Sequence, residues 1–263
     1  MTGAVLAACA GASAAVACGT LLDAAPDDTP EAGLGETGPG VTDGAAESGR
    51  RCPSGAILCD DFDDATTPPF AAWSGKDGDG GGVVVVLVNP MAPSPPNILL
   101  TRTQPGQRGY LVRGLLPGSV TIGFDFEISE LGGGGTPAIE IAGVILDSLD
   151  KGVRVLLEQP DPGHPDKLAG RTILDLAPVP PRDRPFAPTE IDLAMWHHLV
   201  LTITADGGAG MPVVNISLDG KSVSSLNLPG TFKPQLTLLL GPRAENPAAY
   251  ATIYYDNVVI TSP

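Results

Sequence analysis

The chain has 263 residues, of which 34 are Gly and 27 are Pro, while 43% are hydrophobic. Gly and Pro are the two poorest residues for a helix interior, so this composition excludes a long-helix architecture and suits an all-β domain with many turns and an appended segment. Thirty acidic side chains against 15 basic ones give a formal charge of −15, which excludes nucleic acid as a partner, because phosphate contacts need clustered Lys and Arg.

The charge divides the chain near residue 50. No Lys or Arg precedes Arg50, whereas residues 1–49 hold seven acids. Residues 4–22 (AVLAACAGASAAVACGTLL) carry no charge. They are long enough to span a membrane but too rich in Ala, Gly and Ser for one, and they read instead as the apolar region of a secretory signal. The basic residue that usually opens such a signal is missing, which points to a start upstream of Met1 or to a weak signal. Leu6-Ala7-Ala8-Cys9 and Ala15-Val16-Ala17-Cys18-Gly19 both resemble the bacterial lipobox, in which the Cys is lipidated and becomes the mature N-terminus. Cys9 matches the motif better in letters. Cys18 has more apolar chain before it and a polar stretch after it, so Cys18 is the expected lipid-attachment residue. A plainly cleaved signal peptide with two incidental cysteines is the alternative. Residues 19–51 have no aromatics and many Pro, Gly and acids, too little apolar surface to offset their ordering entropy. They read as a disordered acidic linker with a root-mean-square span of about 30 Å. The expected organisation is a signal peptide and lipobox over 1–18, a linker over 19–51 and a folded domain over 52–263.

From Cys52 short apolar runs alternate with turn signals. Cys52 and Cys59 bracket a six-residue turn, and in an exported protein they would most simply pair with each other as a staple at the domain's entrance. Strands are expected over 83–88, 98–103, 119–128, 138–146, 153–159, 172–176, 196–205, 213–218, 221–227, 235–240 and 251–261. Within Val120–Ile128 every even position is apolar and most odd ones are polar, a period of two that means one buried and one exposed face. Asp219-Gly220 is a two-residue hairpin signal that would set Leu218 opposite Lys221, Ile216 opposite Val223 and Val214 opposite Ser225. Many short strands with Gly and Pro turns argue for a sandwich or barrel.

The succession Trp196-His197-His198-Leu199-Val200, then Ser217-Leu218-Asp219-Gly220-Lys221, then Leu240-Gly241, then Tyr255-Asp256-Asn257-Val258 resembles the laminin-G-like, concanavalin A-like jelly roll. The likeness covers residues 52–263 and is carried mostly by 196–260. It implies an all-β antiparallel jelly-roll β-sandwich and, with the lipobox and linker, the layout of a bacterial lipoprotein. It also implies that Trp196 packs in the core. Such sandwiches serve as lectins, glycosidases and passive modules, so the likeness specifies fold rather than function.

The candidate chemistry is sparse. Asp125, Glu127 and Glu130 invite comparison with the retaining glucanases of this fold class, but the first two letters of their motif are swapped, and Glu130 has the wrong parity unless a bulge turns it. His197 and His198 are adjacent on a strand, so they point to opposite faces and cannot share a metal, His197 lying on the core side. Asp161, His164 and Asp166 stand in a Pro-rich loop that reads as a solvated turn. In carbohydrate-binding jelly rolls the first and last strands lie together and their acids hold a structural calcium, and the resemblance implies such a site at Asp61, Asp63 and Asp256; the alternative is an acidic strand edge that discourages pairing. No other cofactor is expected.

These features lead to an exported, lipid-anchored monomeric protein of the cell envelope, with secretion as the alternative. Its domain is expected to be a non-catalytic module that binds an extracellular polysaccharide or protein, touching the membrane only through its lipid. A concanavalin A-like glycoside hydrolase and a purely structural surface protein are the alternatives.

Overall fold

In a computed structural model of the chain, the described residues are 52–262, apart from 64–69, 78–80, 116–117, 147–150, 162, 177–178, 205–211, 229–235 and 245–247. Cys9, Cys18, the signal region and the linker lie outside them. In chain order the strands are β1 (Ala56–Asp60), β2 (Gly75–Asp77), β3 (Val83–Val88), β4 (Asn97–Thr103), β5 (Tyr110–Leu115), β6 (Val120–Gly132), β7 (Ala138–Ile145) and β8 (Lys151–Glu158). They continue with β9 (Lys167–Leu176), β10 (Val179–Asp192), β11 (Trp196–Thr204), β12 (Val213–Leu218), β13 (Lys221–Asn227), β14 (Leu236–Ala244) and β15 (Tyr250–Thr261).

Two antiparallel sheets result. Sheet A runs β13-β12-β11-β6-β15-β4-β3, with β1 pairing the last residues of β15. Sheet B runs β10-β9-β8-β7-β14-β5-β2. Strands distant in sequence are neighbours, as in β6–β15 and β14–β5, and the architecture is the expected jelly-roll sandwich.

The core lies between the sheets and is specified by alternation. On β6, Val120, Ile122, Phe124, Phe126 and Ile128 are all buried, as the period of two requires. Phe124 sits against Phe126 and Tyr255 with ring centroids 6.1 and 5.8 Å apart, a separation at which tilted aromatic pairs attract. Tyr255 is fully buried and donates its hydroxyl hydrogen to the Ile141 carbonyl of the opposite sheet at 2.8 Å, so the one polar atom of that side chain is satisfied. Burial, which disfavours the phenolate, pushes the Tyr255 pKa well above its ordinary value.

Four strands escaped the sequence pattern: β1, β2, β5 and β10. Strand β10 contains Pro180, Pro181, Pro185 and Pro188, and it survives because it is the edge of sheet B, where a missing N–H costs no ladder bond. The 219–220 hairpin forms as expected, with φ of +49° at Asp219 and +75° at Gly220, the signs a type I′ turn needs. Its register differs beyond the first pair. Leu218 does pair with Lys221, but a bulge between Ile216 and Ser217 sets Ile216 opposite Ser224 and Val214 opposite Leu226. Val223 and Leu226 have opposite parity, and this bulge lets both reach the core, at 4% and 5% exposure. Cys52 and Cys59 are bonded, with Cα atoms 5.8 Å apart, and staple the entry to β1.

Candidate functional site

The outer face of sheet A holds most of the residues that the sequence singles out. On β11 and β6, His198 pairs with Asp125 and Trp196 with Glu127. His198 Nδ1 lies 2.6 Å from Asp125 Oδ1, and Asn257 Nδ2 donates to Asp125 Oδ2 at 2.7 Å. Both Asp125 oxygens are thereby engaged, and the hydrogen bond to Asp125 raises the His198 pKa. His197 faces inward, as alternation requires. Its ring lies 5.7 Å from that of Phe126, and its Nδ1 is 2.9 Å from Asp219. Trp196 is not a core residue: it shares the outward face with His198 and is half-buried. The resemblance places it in the core, but the register of β11 against β6 sets it opposite outward Glu127. A bulge at Ser129 restores Glu130 to that outward side, opposite Thr252. Burial raises the Glu127 pKa.

The acids expected to hold calcium are spent on the protein itself. Asp61 accepts from the Asp63 amide and Asp63 from the Asn97 amide. Asp256 accepts from the Ser94 amide at 2.8 Å and the Ser94 hydroxyl at 2.7 Å, and also from the Asn257 amide. Among the described residues no three His, Cys, Asp or Glu side chains gather as a metal site would, so Asp61, Asp63 and Asp256 are not assembled into one. Asp256 is buried by the 89–96 loop, and desolvation pushes its pKa up to about 6 against the lowering effect of its hydrogen bonds. Neighbouring Asp60 accepts the Trp73 indole hydrogen at 2.7 Å. Asp161 and His164 form an exposed pair, 2.7 Å apart, in the loop before β9.

The outer face of sheet B carries a site that the sequence reading missed. Arg108 bridges to Arg243, which pairs with Glu140 on β7, so three charged side chains stand in one row across neighbouring strands. Arg154 pairs with Gly143 on the adjacent row, and its Nη1 lies 3.8 Å from Glu140 Oε2. These groups, with Tyr110, Val144, Ile145 and Leu239, line a cavity of about 280 Å³. Arg108 also meets Asp77 at 3.1 Å. Among the described residues the cleft gathers three guanidiniums, of Arg108, Arg154 and Arg243, around the carboxylate of Glu140, in a chain with only 15 basic residues.

Two local features build the cleft. A bulge in β7 between Glu140 and Ala142 puts Ile141 and Ala142 into the core on successive positions and turns Glu140 outward beside Gly143. A Cβ on Gly143 would fall 2.6 Å from Glu140 Oε1, so the missing side chain is the space the carboxylate fills. Glu140 is 1% exposed while Arg154 is 17% exposed; the carboxylate is the buried anchor and the guanidinium is the group offered to the cleft. The one signal in the sequence was a single charged residue inside each of two apolar runs, Glu140 and Arg154. Arg108 and Arg243 stand in loops and strand ends far apart in the chain.

No family model matches the chain, and no curated protein does. Solved structures do. A marine PL7 alginate lyase from Zobellia galactanivorans is similar over 62% of this chain and 77% of its own, at 11% identity and a TM-score of 0.49. An alginate lyase from Alteromonas sp. 272 is similar over 71% and 93%, at 10% identity and 0.44. The carbohydrate-binding module CBM66 from Bacillus subtilis is similar over 72% and 97%, at 16% identity and 0.41. What they share with this chain is the two-sheet fold. The expectation of a non-catalytic domain is corrected to one that leaves catalysis open, because the similar structures include alginate lyases as well as a binding module and a shared fold does not separate the two.

Proposed function

We propose that the domain binds an acidic, uronate-bearing polysaccharide in the cleft on sheet B and cleaves it by elimination. The observation that carries this reading is the meeting of Arg108, Arg154 and Arg243 with Tyr110 in one cavity, in a chain with only 15 basic residues. A guanidinium pairs with a sugar carboxylate through two parallel N–H bonds, a fit that a point charge does not give. Neutralising that carboxylate acidifies the C5–H beside it, because the negative charge that develops on the carboxylate in the transition state is met by fixed donors. Proton transfer then needs a group with both basic and acidic forms, and the Tyr110 phenol is such a group. Tyr110, acting as the phenolate, takes the C5 proton; the C5–H electrons form the C4–C5 double bond, the C4–O bond breaks, and the phenol so formed returns the proton to the leaving oxygen.

The test is incubation of the full chain with polymannuronate, polyguluronate and polygalacturonate, reading the ultraviolet absorbance of the unsaturated product. At least one is expected to be cleaved, with Tyr110→Phe slowing cleavage by about 100-fold while leaving binding within a few-fold. Neither binding nor cleavage of any polyuronate by the wild-type chain would overturn the reading.

We further propose that the protein is exported and lipid-anchored through Cys18. The Cys52–Cys59 disulfide supports an oxidising compartment. Labelled palmitate is expected to be incorporated by the wild-type chain and lost in Cys18→Ser; retention of label in that variant would overturn the assignment.

A further inference from the structure

The outer face of sheet A has an organisation of its own. Register sets Trp196 opposite Glu127, Glu127 opposite Tyr254, Tyr254 opposite Leu100 and Leu100 opposite Val85. Residues paired in this way project to the same side of a sheet. Phe126, Tyr255 and Leu99, their neighbours in the chain, all belong to the core, so this row faces outward. It crosses β11, β6, β15, β4 and β3, about 19 Å at the usual strand spacing. Four of its five members are aromatic or aliphatic. Trp196 and Tyr254 are half-buried, standing one strand either side of Glu127. Val85 is 37% exposed, and Leu100 between Tyr254 and Val85 is buried, so the accessible part of the row is Trp196, Glu127 and Tyr254 with Val85 at its edge.

Polar groups border the row on both sides. His198 and Asp125 flank it on one side. On the other, Arg102 and Glu130 both reach Thr252 beside a cavity of about 200 Å³ that Tyr250 also lines. Flat apolar surface bordered by hydrogen-bonding groups suits a chain of sugar rings, each of which offers an apolar C–H face and a rim of hydroxyls. Charge selects among glycans. On or beside the row three acids, Asp125, Glu127 and Glu130, outnumber the one permanent cation, Arg102, so a polyuronate would meet mostly like charge, whereas an uncharged chain would meet the Glu127 and Glu130 acceptors.

We propose that this face is a second glycan-binding platform, taking an uncharged polysaccharide laid across the strands with its rings stacked on Trp196 and Tyr254. It does not depend on the elimination reading of the cleft, since it uses the opposite sheet and the opposite charge.

The protein has two tryptophans, which allows a test on the wild-type full chain. Trp73 is buried and its indole hydrogen is held by Asp60, so a ligand on the platform moves the indole N–H resonance of Trp196 and leaves that of Trp73 in place. Soluble β-1,4-glucan, β-1,3-glucan, xylan and mannan oligosaccharides are the probes. At least one is expected to shift the Trp196 signal saturably. Tyr254→Leu should weaken that ligand by roughly tenfold, while Arg154→Ala leaves its affinity unchanged. A Trp196 signal unmoved by all four probes would sink the proposal, and so would an equal shift with polyuronate or a response that Tyr254→Leu does not weaken. The cleft is read separately by the ultraviolet assay, so failure of one reading does not touch the other.

Discussion

The outer faces of the two sheets are built by the same alternation and end with opposite character. On sheet A, β6 keeps a strict period of two up to Ile128, so Asp125 and Glu127 simply stand out from the ladder and stay where the sequence puts them. On sheet B a bulge in β7 and the close approach of β14 to the Gly109 backbone break the alternation and gather Arg108, Arg154 and Arg243 around a buried carboxylate. Regular strands distribute side chains at a spacing fixed by the pleat. Converging several charges on one small volume needs an irregularity that re-aims them. The acidic, aromatic face is therefore broad and flat in its chemistry, and the cationic one is a pocket.

The largest effect expected from breaking this contrast comes from Gly241→Ala. Gly241 has φ +141°, and a Cβ there would fall 1.9 Å from the Gly109 carbonyl oxygen. The backbone must move, at a cost of about 3 kcal/mol or more. Thermal unfolding should show the loss of stability, and binding of polyuronate should fall more than binding of an uncharged glycan, because Gly241 lies two residues from Arg243.

A change confined to the far end of sheet A should do the reverse. Cys52→Ser opens the loop closed on Cys59 and is expected to cost about 2.5 kcal/mol in the chain-entropy account. The same thermal measurement checks it, with polyuronate cleavage per folded molecule unchanged.

Acidity separates the faces next. Asp256 titrates near 6 in the folded chain and near 3.9 when unfolded. Between those values the folded chain holds a proton that the unfolded chain has released, so stability rises as pH falls from about 7.5 to 5. The gain is on the order of 1–2 kcal/mol, allowing for solvent screening of the carboxylate. His198, raised by Asp125, adds in the same sense: its contribution is present below its unfolded pKa and is lost as pH rises through the folded one. Melting temperatures across that range should flatten in Asp256→Asn, and His198→Gln should remove a smaller part of the slope. Both groups lie on sheet A, so variants of the sheet B cleft should keep the full slope.

The smallest effect is one of screening. Raising salt from about 50 to about 500 mM should weaken polyuronate binding by roughly tenfold and leave an uncharged glycan within about twofold, since screening acts on guanidinium–carboxylate attraction and not on stacking. Equal salt dependence for the two ligands, measured by calorimetry, would erase the distinction drawn between the faces.

Much of sheet A was legible in advance. Period-two runs identified β6 and β11, the Asp219-Gly220 turn identified the β12–β13 hairpin, and parity assigned His197 inward and Asp125 and Glu127 outward. Parity was not enough where a strand slips. The hairpin register failed beyond Leu218 because a bulge lets both Val223 and Leu226 be buried. Trp196 was misplaced because the resemblance set it in the core, whereas alternation from inward His197 turns it outward, opposite Glu127. The cleft was illegible for the same reason in stronger form. Arg108, Glu140, Arg154 and Arg243 come from four separate stretches, and nothing in any one of them points to the others.

The sequence by itself determined that this domain is an antiparallel sandwich, because side-chain periodicity and turn chemistry act over a few residues. It also determined the Cys52–Cys59 staple, closed across a loop too short to need any tertiary partner. Only the tertiary structure decided which charges meet. Strand pairing, bulges and the stacking of two sheets fix distances between residues more than 100 positions apart, and that pairing alone brings Arg108 beside Arg243 and Arg243 beside Glu140.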